Sequence, residues 1–334
     1  MPSASGFLCR LTLSGVCICL GCRHLDRSEP PPFPPRPLPP EVAAYRPESP
    51  GWGLEIVPVG APSRLLEISR FTFWAHSGSE GDIRQVVGTL YRTHRVQPLE
   101  RAPLLNLAPI LAGAVDNYLA CRVFARWACA EGMSAFYLHQ DEDVLTVDRD
   151  SLRLEEILTD NLQDNIRALD LLTSLPYVDP ERLGSIGISM GAIKNVALVA
   201  AEPRLKANVF CLGGADMPEI FATSNERRVV RYLEARTAWD RADLGEICAE
   251  ADVFLRSEPL RWASTISNER SLVFLGIFDD KVPYACGLKL WEMLGRPEAY
   301  FLPLGHYTGI SAAPFAAGRM FEYFRKRFDQ LKDS

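Results

Sequence analysis

Short apolar runs alternate with segments of helical spacing from residue 103 to the C-terminus, and this alternation restricts the fold more than any other feature of the chain. Residues 103–108 are almost continuously apolar, as a strand buried on both faces requires. A helical segment follows at 118–130, and the same order recurs with a strand at 183–188 and a helix at 192–201. Strands that alternate with helices predict an α/β fold with a mostly parallel central sheet and helices on both faces.

The remaining segments fit this layout. Three β-rich stretches before residue 103 predict an antiparallel entry to the sheet, and they cover residues 52–59, 65–74 and 85–91. Later strands are predicted at 134–138, 207–212, 271–277 and 299–302, and later helices at 154–175 and 315–331. The sequence contains neither of the glycine-rich phosphate-binding motifs, so nothing in it favours a nucleotide-binding enzyme.

The pentapeptide Gly-Ile-Ser-Met-Gly at residues 187–191 lies between a predicted strand and a predicted helix. A G-x-S-x-G sequence in that context places its serine on a tight turn, so the hydroxyl of Ser189 projects above the sheet edge. Glycine on both sides leaves room for the turn. The helix that follows directs the backbone N–H of Met190 towards a developing oxyanion. An ordinary glycine-rich turn is the alternative interpretation.

A serine hydroxyl needs a base, and the base needs an acid that orients it. Of the five histidines, His306 directly follows the last predicted strand, after Gly305, and is the candidate base. The acid is expected one strand earlier. Asp279 is preferred because it lies nearer the end of that strand, and Asp280, with Lys281 beside it as an ion-pair partner, stays open. Either carboxylate could instead only stabilise the loop.

These residues together resemble the α/β-hydrolase superfamily. The chain order Ser189, Asp279, His306 is the order of its catalytic triad. Three local patterns match: G-x-S-x-G, G-x-x-D-x-x-V-P at 276–283, and Gly-His after the last strand. Residues 179–184, Asp-Pro-Glu-Arg-Leu-Gly, are similar to the turn before the nucleophile strand in dienelactone-hydrolase-like and prolyl-oligopeptidase-like members. The resemblance covers roughly residues 85–331.

The resemblance implies the α/β-hydrolase fold, a helical cap inserted at about residues 214–265, and two-step acyl transfer that needs no metal and no organic cofactor. Members take a second oxyanion donor from the loop after the third strand, often within His-Gly-Gly. Here that loop, 108–113, lacks the His-Gly pair. By position, the backbone N–H of Leu111 is the candidate donor, with Ile110 next.

The sequence thus predicts a serine hydrolase that acts on a small-molecule carboxylic ester, although the same triad serves many chemistries. A small prolyl-oligopeptidase-like peptidase is the second hypothesis, less favoured because the sequence shows no propeller before the catalytic region. A catalytically silent envelope protein that retains the fold is the third.

The first 22 residues are similar to an export signal. An apolar run at 11–20 follows Arg10 and is too short to span a bilayer, and Leu-Gly-Cys at 20–22 resembles a bacterial lipoprotein processing site with Cys22 as the lipid anchor. Cys19 departs from that motif. Ten prolines between residues 30 and 50 predict an extended linker over 23–50, which leaves the hydrolase domain at 51–334. An exported envelope lipoprotein is the preferred location, and plain secretion or a cytoplasmic protein are the alternatives.

The composition excludes several other classes of protein. Hydrophobic residues make up 47% of the chain, which is ordinary for a soluble globular protein, and no segment is a predicted membrane span. The net charge of −6, from 36 basic and 42 acidic residues, disfavours a nucleic-acid partner. Nine cysteines without a Cys-x-x-Cys pair in the body predict buried thiols rather than a zinc site.

Two polar clusters have weaker functional interpretations. Four arginines in residues 225–236 predict a cap helix that either contacts an acidic substrate or is simply solvated. His139, Asp141 and Asp143 follow a predicted strand, and we interpret them as a polar loop in preference to a metal site.

Overall fold

A computed structural model describes residues 23–25, 42, 45–77, 82–97, 100–111, 118–140, 144–145 and 150–332. The predicted export signal at 1–22, Cys22 included, lies outside the described residues, as do Asp141 and Asp143.

Ten strands of the described residues form one sheet. Their bounds are Arg23–Leu25 (β1), Trp52–Pro58 (β2), Leu66–Ser77 (β3), Asp82–Thr93 (β4), Ala102–Ala108 (β5), Ser134–Leu138 (β6), Val178–Ile188 (β7), Leu205–Cys211 (β8), Ser271–Gly276 (β9) and Glu298–Leu302 (β10). Their spatial order is β1-β10-β9-β8-β7-β5-β6-β4-β3-β2. The six strands from β10 to β6 pair in parallel, whereas β1 at one edge and β4, β3 and β2 at the other pair antiparallel.

Helices connect the strands and cover both faces of the sheet. Those of the described residues are Leu119–Ala130 (α1), Ser151–Thr173 (α2), Met190–Ala201 (α3), Met217–Thr223 (α4), Arg227–Asp240 (α5), Leu244–Phe254 (α6), Pro259–Trp262 (α7), Tyr284–Met293 (α8) and Ala313–Lys332 (α9). Side chains of α1 and α9 pack in one core cluster, and those of α2, α3 and α8 pack in another. The predicted mostly parallel sheet with helices on both faces is confirmed.

The sequence explains why these segments take these forms. Every residue of β6 and β9 is buried, which is the burial that a central parallel strand with covered faces requires. Helix α2 begins after Asp150, whose side chain accepts a hydrogen bond from the N–H of Arg153 at 2.8 Å and so satisfies one of the unpaired donors of the first turn.

Packed residues also occur on the N-terminal side of Gly51. Strand β1 extends the sheet beside β10. Val42 and Tyr45 are buried, and the Tyr45 hydroxyl donates to Glu155 at 2.6 Å while its ring meets Trp262 edge-on. Parts of the segment predicted as a linker therefore contact the hydrolase core.

Helices α4 to α7 form an insertion between β8 and β9, at the position predicted for a cap. The buried side chains of α4, α5 and α6 make a separate cluster with Met190, Ile193 and the partly buried Leu111, whereas Trp262 of α7 packs in the cluster of α2, α3 and α8. The cap therefore covers the edge of the sheet where α3 begins. Within the described residues, no helix combines the length and hydropathy that a membrane crossing demands.

Candidate active site

Ser189 lies on the sharp turn between β7 and α3. Its backbone has φ 56° and ψ −126°, a conformation that non-glycine residues rarely adopt. The N–H of Ser189 donates to the carbonyl of Cys211 at the end of β8, at 2.8 Å, which ties the turn to the neighbouring strand. The strain is stored at one residue and holds its hydroxyl at the sheet edge, as the sequence predicts for this motif.

Two glycines make that turn possible by close approach of backbone. A Cβ on Gly187 would lie 2.5 Å from the carbonyl oxygen of Gly191. A Cβ on Gly191 would lie 2.3 Å from the carbonyl oxygen of Ala108 at the end of β5. Side chains at either position would push apart the strand, the helix and the loop after β5.

The structure brings Ser189, His306 and Asp279 into one hydrogen-bonded row. The Ser189 Oγ lies 2.8 Å from His306 Nε2, and His306 Nδ1 lies 2.7 Å from Asp279 Oδ2. A carboxylate only accepts hydrogen bonds, so Nδ1 carries the proton and Nε2 accepts from the serine hydroxyl. Both the imidazole and the carboxylate are largely buried, at 10% and 3% side-chain exposure, which keeps water from competing for these bonds.

The two neighbouring carboxylates that the sequence left open occupy different surroundings. Asp279 faces His306, and its other oxygen accepts from the N–H groups of Lys281 and Val282 at 3.0 and 3.1 Å. Asp280 points away to the surface, where a hydrogen bond from Asn225 lowers the pKa of its carboxyl.

The loop after β10 brings the imidazole to the row. The carbonyl of Leu304 accepts from the N–H of Phe278 at 3.1 Å, so this loop and the Asp279 loop are bonded to each other. A Cβ on Gly305 would lie 3.0 Å from the carbonyl oxygen of Phe278. Glycine at 305 thus serves the close approach of two loops, and its φ is not positive.

Of the predicted oxyanion donors, Met190 directly follows Ser189 and Leu111 lies in the loop after β5. Met190 is the first residue of α3, where backbone N–H groups have no intrahelical acceptor. Leu111 lies three residues beyond β5, partly buried against the cap cluster that also contains Met190. The close contact of Gly191 with Ala108 holds these two segments side by side.

Ser224 and Asn225 of the cap contact the loop that carries Asp279, and no sequence motif predicts these contacts. The hydroxyl of Ser224 donates to the carbonyl of Lys281 at 2.5 Å, and Asn225 donates from Nδ2 to Asp280 at 2.6 Å. Lys281 donates from Nζ to the carbonyl of Asn225 at 3.2 Å.

The same segment also contacts the residue after His306. The Tyr307 hydroxyl donates to Glu226, and partial burial together with that carboxylate raises the pKa of Tyr307 to about 12. The rings of Tyr307 and His306 meet edge-on with centroids 5.5 Å apart. We call the contacts of residues 224–226 with the two loops the latch.

The two weaker clusters have structural explanations. Arg236 is buried and pairs with Glu250 at 2.8 Å and with Asp240, so it holds the cap helices together. His139 stacks against the rings of Tyr118 and Tyr137 and shares a 2.9 Å hydrogen bond with Thr89, and burial lowers its pKa. Among the described residues there is no group of three His, Cys, Asp or Glu side chains that could hold a metal ion.

Comparison with known proteins gives a family match over part of the chain. The model of the prolyl oligopeptidase family matches residues 156–304, a little under half of the chain. No curated protein matches the sequence significantly.

Solved structures are similar over most of the chain. The acetyl xylan esterase from Paenibacillus sp. R4 has a TM-score of 0.62 and 15% identity, covering 84% of this chain and 90% of that chain. Acetyl xylan esterase 1 from Thermoanaerobacterium sp. JW/SL YS485 has a TM-score of 0.59 and 14% identity, covering 86% and 95%. The Pyrococcus horikoshii acylaminoacyl peptidase has a TM-score of 0.54 and 16% identity, covering 84% of this chain and 50% of that chain.

At these identities the structural neighbours establish the fold, and the family match adds sequence evidence for the part that contains Ser189 and Asp279. The chain therefore has the α/β-hydrolase fold, and over residues 156–304 it is similar to the prolyl oligopeptidase family.

Proposed function

We propose that this protein is a serine hydrolase that cleaves carboxylic esters, with Ser189 as nucleophile, His306 as general base and Asp279 as the acid that orients it. The observation that carries the proposal is the row of two hydrogen bonds, 2.8 and 2.7 Å long, that joins the three side chains. A hydroxyl, an imidazole and a carboxylate from three distant segments have no structural need to meet at a sheet edge, but acyl transfer requires that arrangement.

The mechanism follows from the groups in the row. The Ser189 oxygen attacks the ester carbonyl carbon while His306 Nε2 takes the hydroxyl proton. The imidazolium that forms is stabilised by Asp279, and the N–H of Met190, with that of Leu111, stabilises the oxyanion. The alcohol leaves with the proton from His306, and an acyl-enzyme remains. Water then gives a proton to His306 and attacks the acyl carbon, and the Ser189 oxygen leaves with that proton as the acid is released.

The fraction of each structural neighbour that the chain covers favours ester cleavage over peptide cleavage. It covers 90% and 95% of the two acetyl xylan esterases, but half of the acylaminoacyl peptidase. A small peptidase of the prolyl oligopeptidase type is the second candidate because the family match favours it.

A fluorophosphonate probe with the labelled peptide identified by mass spectrometry tests the proposal. We expect labelling at Ser189, and Ser189→Ala should lose labelling and turnover while its melting temperature is kept. A panel of p-nitrophenyl esters and aminoacyl nitroanilides then separates an esterase from a peptidase. A folded wild-type protein that takes no label would support the silent-protein hypothesis instead.

We also propose that the chain is exported and anchored through Cys22. The support is the sequence alone: an apolar run, a Leu-Gly-Cys site and a proline-rich spacer. Metabolic palmitate labelling in a bacterial host, with Cys22→Ser as control, tests this. A full-length unlabelled chain in the cytosol would contradict the proposal.

A further inference from the structure

A pocket lies beside the proposed nucleophile, between α2, α3 and the cap, and the mechanism above does not use it. Its lining includes Ala108 at the end of β5, Met190 next to Ser189, and Gln140 just after β6. These residues stand at the sheet edge where the proposed reaction takes place. The pocket therefore lies next to the turn that carries Ser189, under the cap.

Lys194 is the cation of this pocket. It lies four residues after Met190 on α3, so the two side chains share one face of the helix, about one turn apart. Its Nζ donates to Gln140 Oε1 at 2.5 Å. Among the described residues, no carboxylate lies within 4.0 Å of Nζ, and burial lowers the pKa of Lys194 to about 8.

A second donor faces the same space. Asn161 of α2 lines the pocket, and its Nδ2 is buried without a hydrogen-bond partner among the residues described. The carboxyl of Glu258 also lines the pocket, at the cap end. Its oxygens accept from the N–H groups of Asp216, Met217 and Leu260, and burial raises its pKa.

A partly buried ammonium with one neutral partner, together with an unpaired amide donor, is costly unless an acceptor enters the pocket. A carboxylate matches both groups, because it carries one negative charge and has two acceptor oxygens. The lining also contains the amides of Asn165 and Asn195, and its apolar side chains, among them Leu158, Ile193 and Ala197, can contact a short methylene chain.

We propose that this pocket is the acyl subsite and that Lys194 binds the free carboxylate of a dicarboxylic acid monoester. The inference rests on the proposed esterase function and names its substrate class: the hydrolysed carbonyl lies at Ser189, and the chain's other end, which remains an acid, lies at Lys194. The leaving alcohol then lies on the opposite, solvent side of Ser189.

The test compares two matched ethyl esters in a pH-stat: monoethyl succinate, and the neutral ester in which an isopropyl group replaces the carboxylate. The wild-type protein should prefer the anionic ester. Lys194→Met should lower the ratio of the two kcat/KM values about 10- to 100-fold, the usual range for a charged hydrogen bond. Monoethyl glutarate and adipate identify the chain length that fits.

Lys326→Met, on the exposed surface of α9, is the matched control and should leave the ratio unchanged. A wild-type protein that favours the neutral ester for every chain length would overturn the inference while leaving the esterase proposal intact. An unchanged ratio of the two kcat/KM values in Lys194→Met, with fluorophosphonate labelling kept, would also overturn the inference. A folded wild-type protein that takes no fluorophosphonate label would instead count against the proposed function itself.

Discussion

Asp279 and Asp280 are neighbours in the sequence, but their side chains lie in different surroundings. The first is buried and bonded to His306, and the second is at the surface and bonded to Asn225. A matched pair of substitutions therefore separates their roles. Asp279→Asn should lower kcat by about 10³- to 10⁴-fold because an amide favours the wrong imidazole tautomer. Asp280→Asn should change kcat less than about threefold. Comparable losses in steady-state kinetics would contradict the assignment of Asp279.

Lys194 makes the substrate preference depend on pH. Its pKa is lowered to about 8 by burial, so the charged ammonium predominates below that pH and the neutral amine above it. The other titratable groups near it are the thiol of Cys121 and the carboxyl of Glu258 across the pocket.

We therefore expect the ratio of kcat/KM for monoethyl succinate to that for its neutral analogue to fall as pH rises through about 8. Titration of the base affects both esters alike and cancels in the ratio. Lys194→Met should make the ratio independent of pH over the same range, and a wild-type ratio that stays flat would argue against the charge as its cause.

Residues of the site differ in how well the sequence predicts them. Ser189, Asp279 and His306 follow strands, and motif spacing alone placed them at one edge. Lys194 is harder to predict from sequence, since a single lysine in an otherwise apolar helix can extend to solvent as readily as it can face a pocket. The latch residues carry no sequence signal, because Asn225 and Tyr307 belong to no motif and come close to each other only in the folded protein.

At the scale of elements, two glycines in helices predict opposite responses to the same substitution. Gly191→Ala would place a Cβ 2.3 Å from the carbonyl oxygen of Ala108, so α3 or the loop after β5 must move. We expect a loss of about 1–3 kcal/mol in the free energy of unfolding and at least a tenfold drop in kcat.

Gly318→Ala in α9 is the control. A Cβ there meets nothing within 4 Å, and the exposed helix interior favours alanine by about 0.5–1 kcal/mol. Urea unfolding measures both variants, and a stabilised Gly191→Ala would disprove the packing argument.

The latch couples the cap to the loops that carry the acid and the base. Tyr307→Phe removes the hydrogen bond to Glu226 but keeps the ring beside His306. We expect kcat/KM to fall about three- to tenfold because the loop loses one restraint.

A double-mutant cycle with Glu226→Ala checks the coupling. If the hydroxyl and the carboxylate act together, the double variant should lose no more than the worse single variant. Additive losses would mean that the two residues act independently.

At the scale of the whole molecule, hydrophobic periodicity predicted the layers but not every boundary. Strand β6 was predicted at its exact bounds because it is fully buried and follows a glycine. Strand β7 begins at Val178, five residues earlier than expected, since Asp179 and Pro180 are typical of a turn. Strand β1 has three residues and α8 contains Gly287, so neither leaves a pattern long enough to recognise.

Hydrogen bonds fix the cap to the rest of the protein at two places. The latch is one place, and at the other the N–H and hydroxyl of Ser257 donate to Glu155 while the N–H of Ser151 donates to Glu250 at 2.7 Å. Because the cap is hydrogen-bonded at both places, we expect it to stay closed and to admit only molecules of limited size to Ser189.

The dimensions of a substrate should then matter independently of its reactive bond. Ethyl esters of short acids should be hydrolysed, and the same ester linkage attached to a folded protein or an insoluble polymer should not. Incubation with each, followed by titration of released acid, measures the difference. Equal rates on the small esters and on the protein-bound or polymer-bound ester would mean that the cap opens.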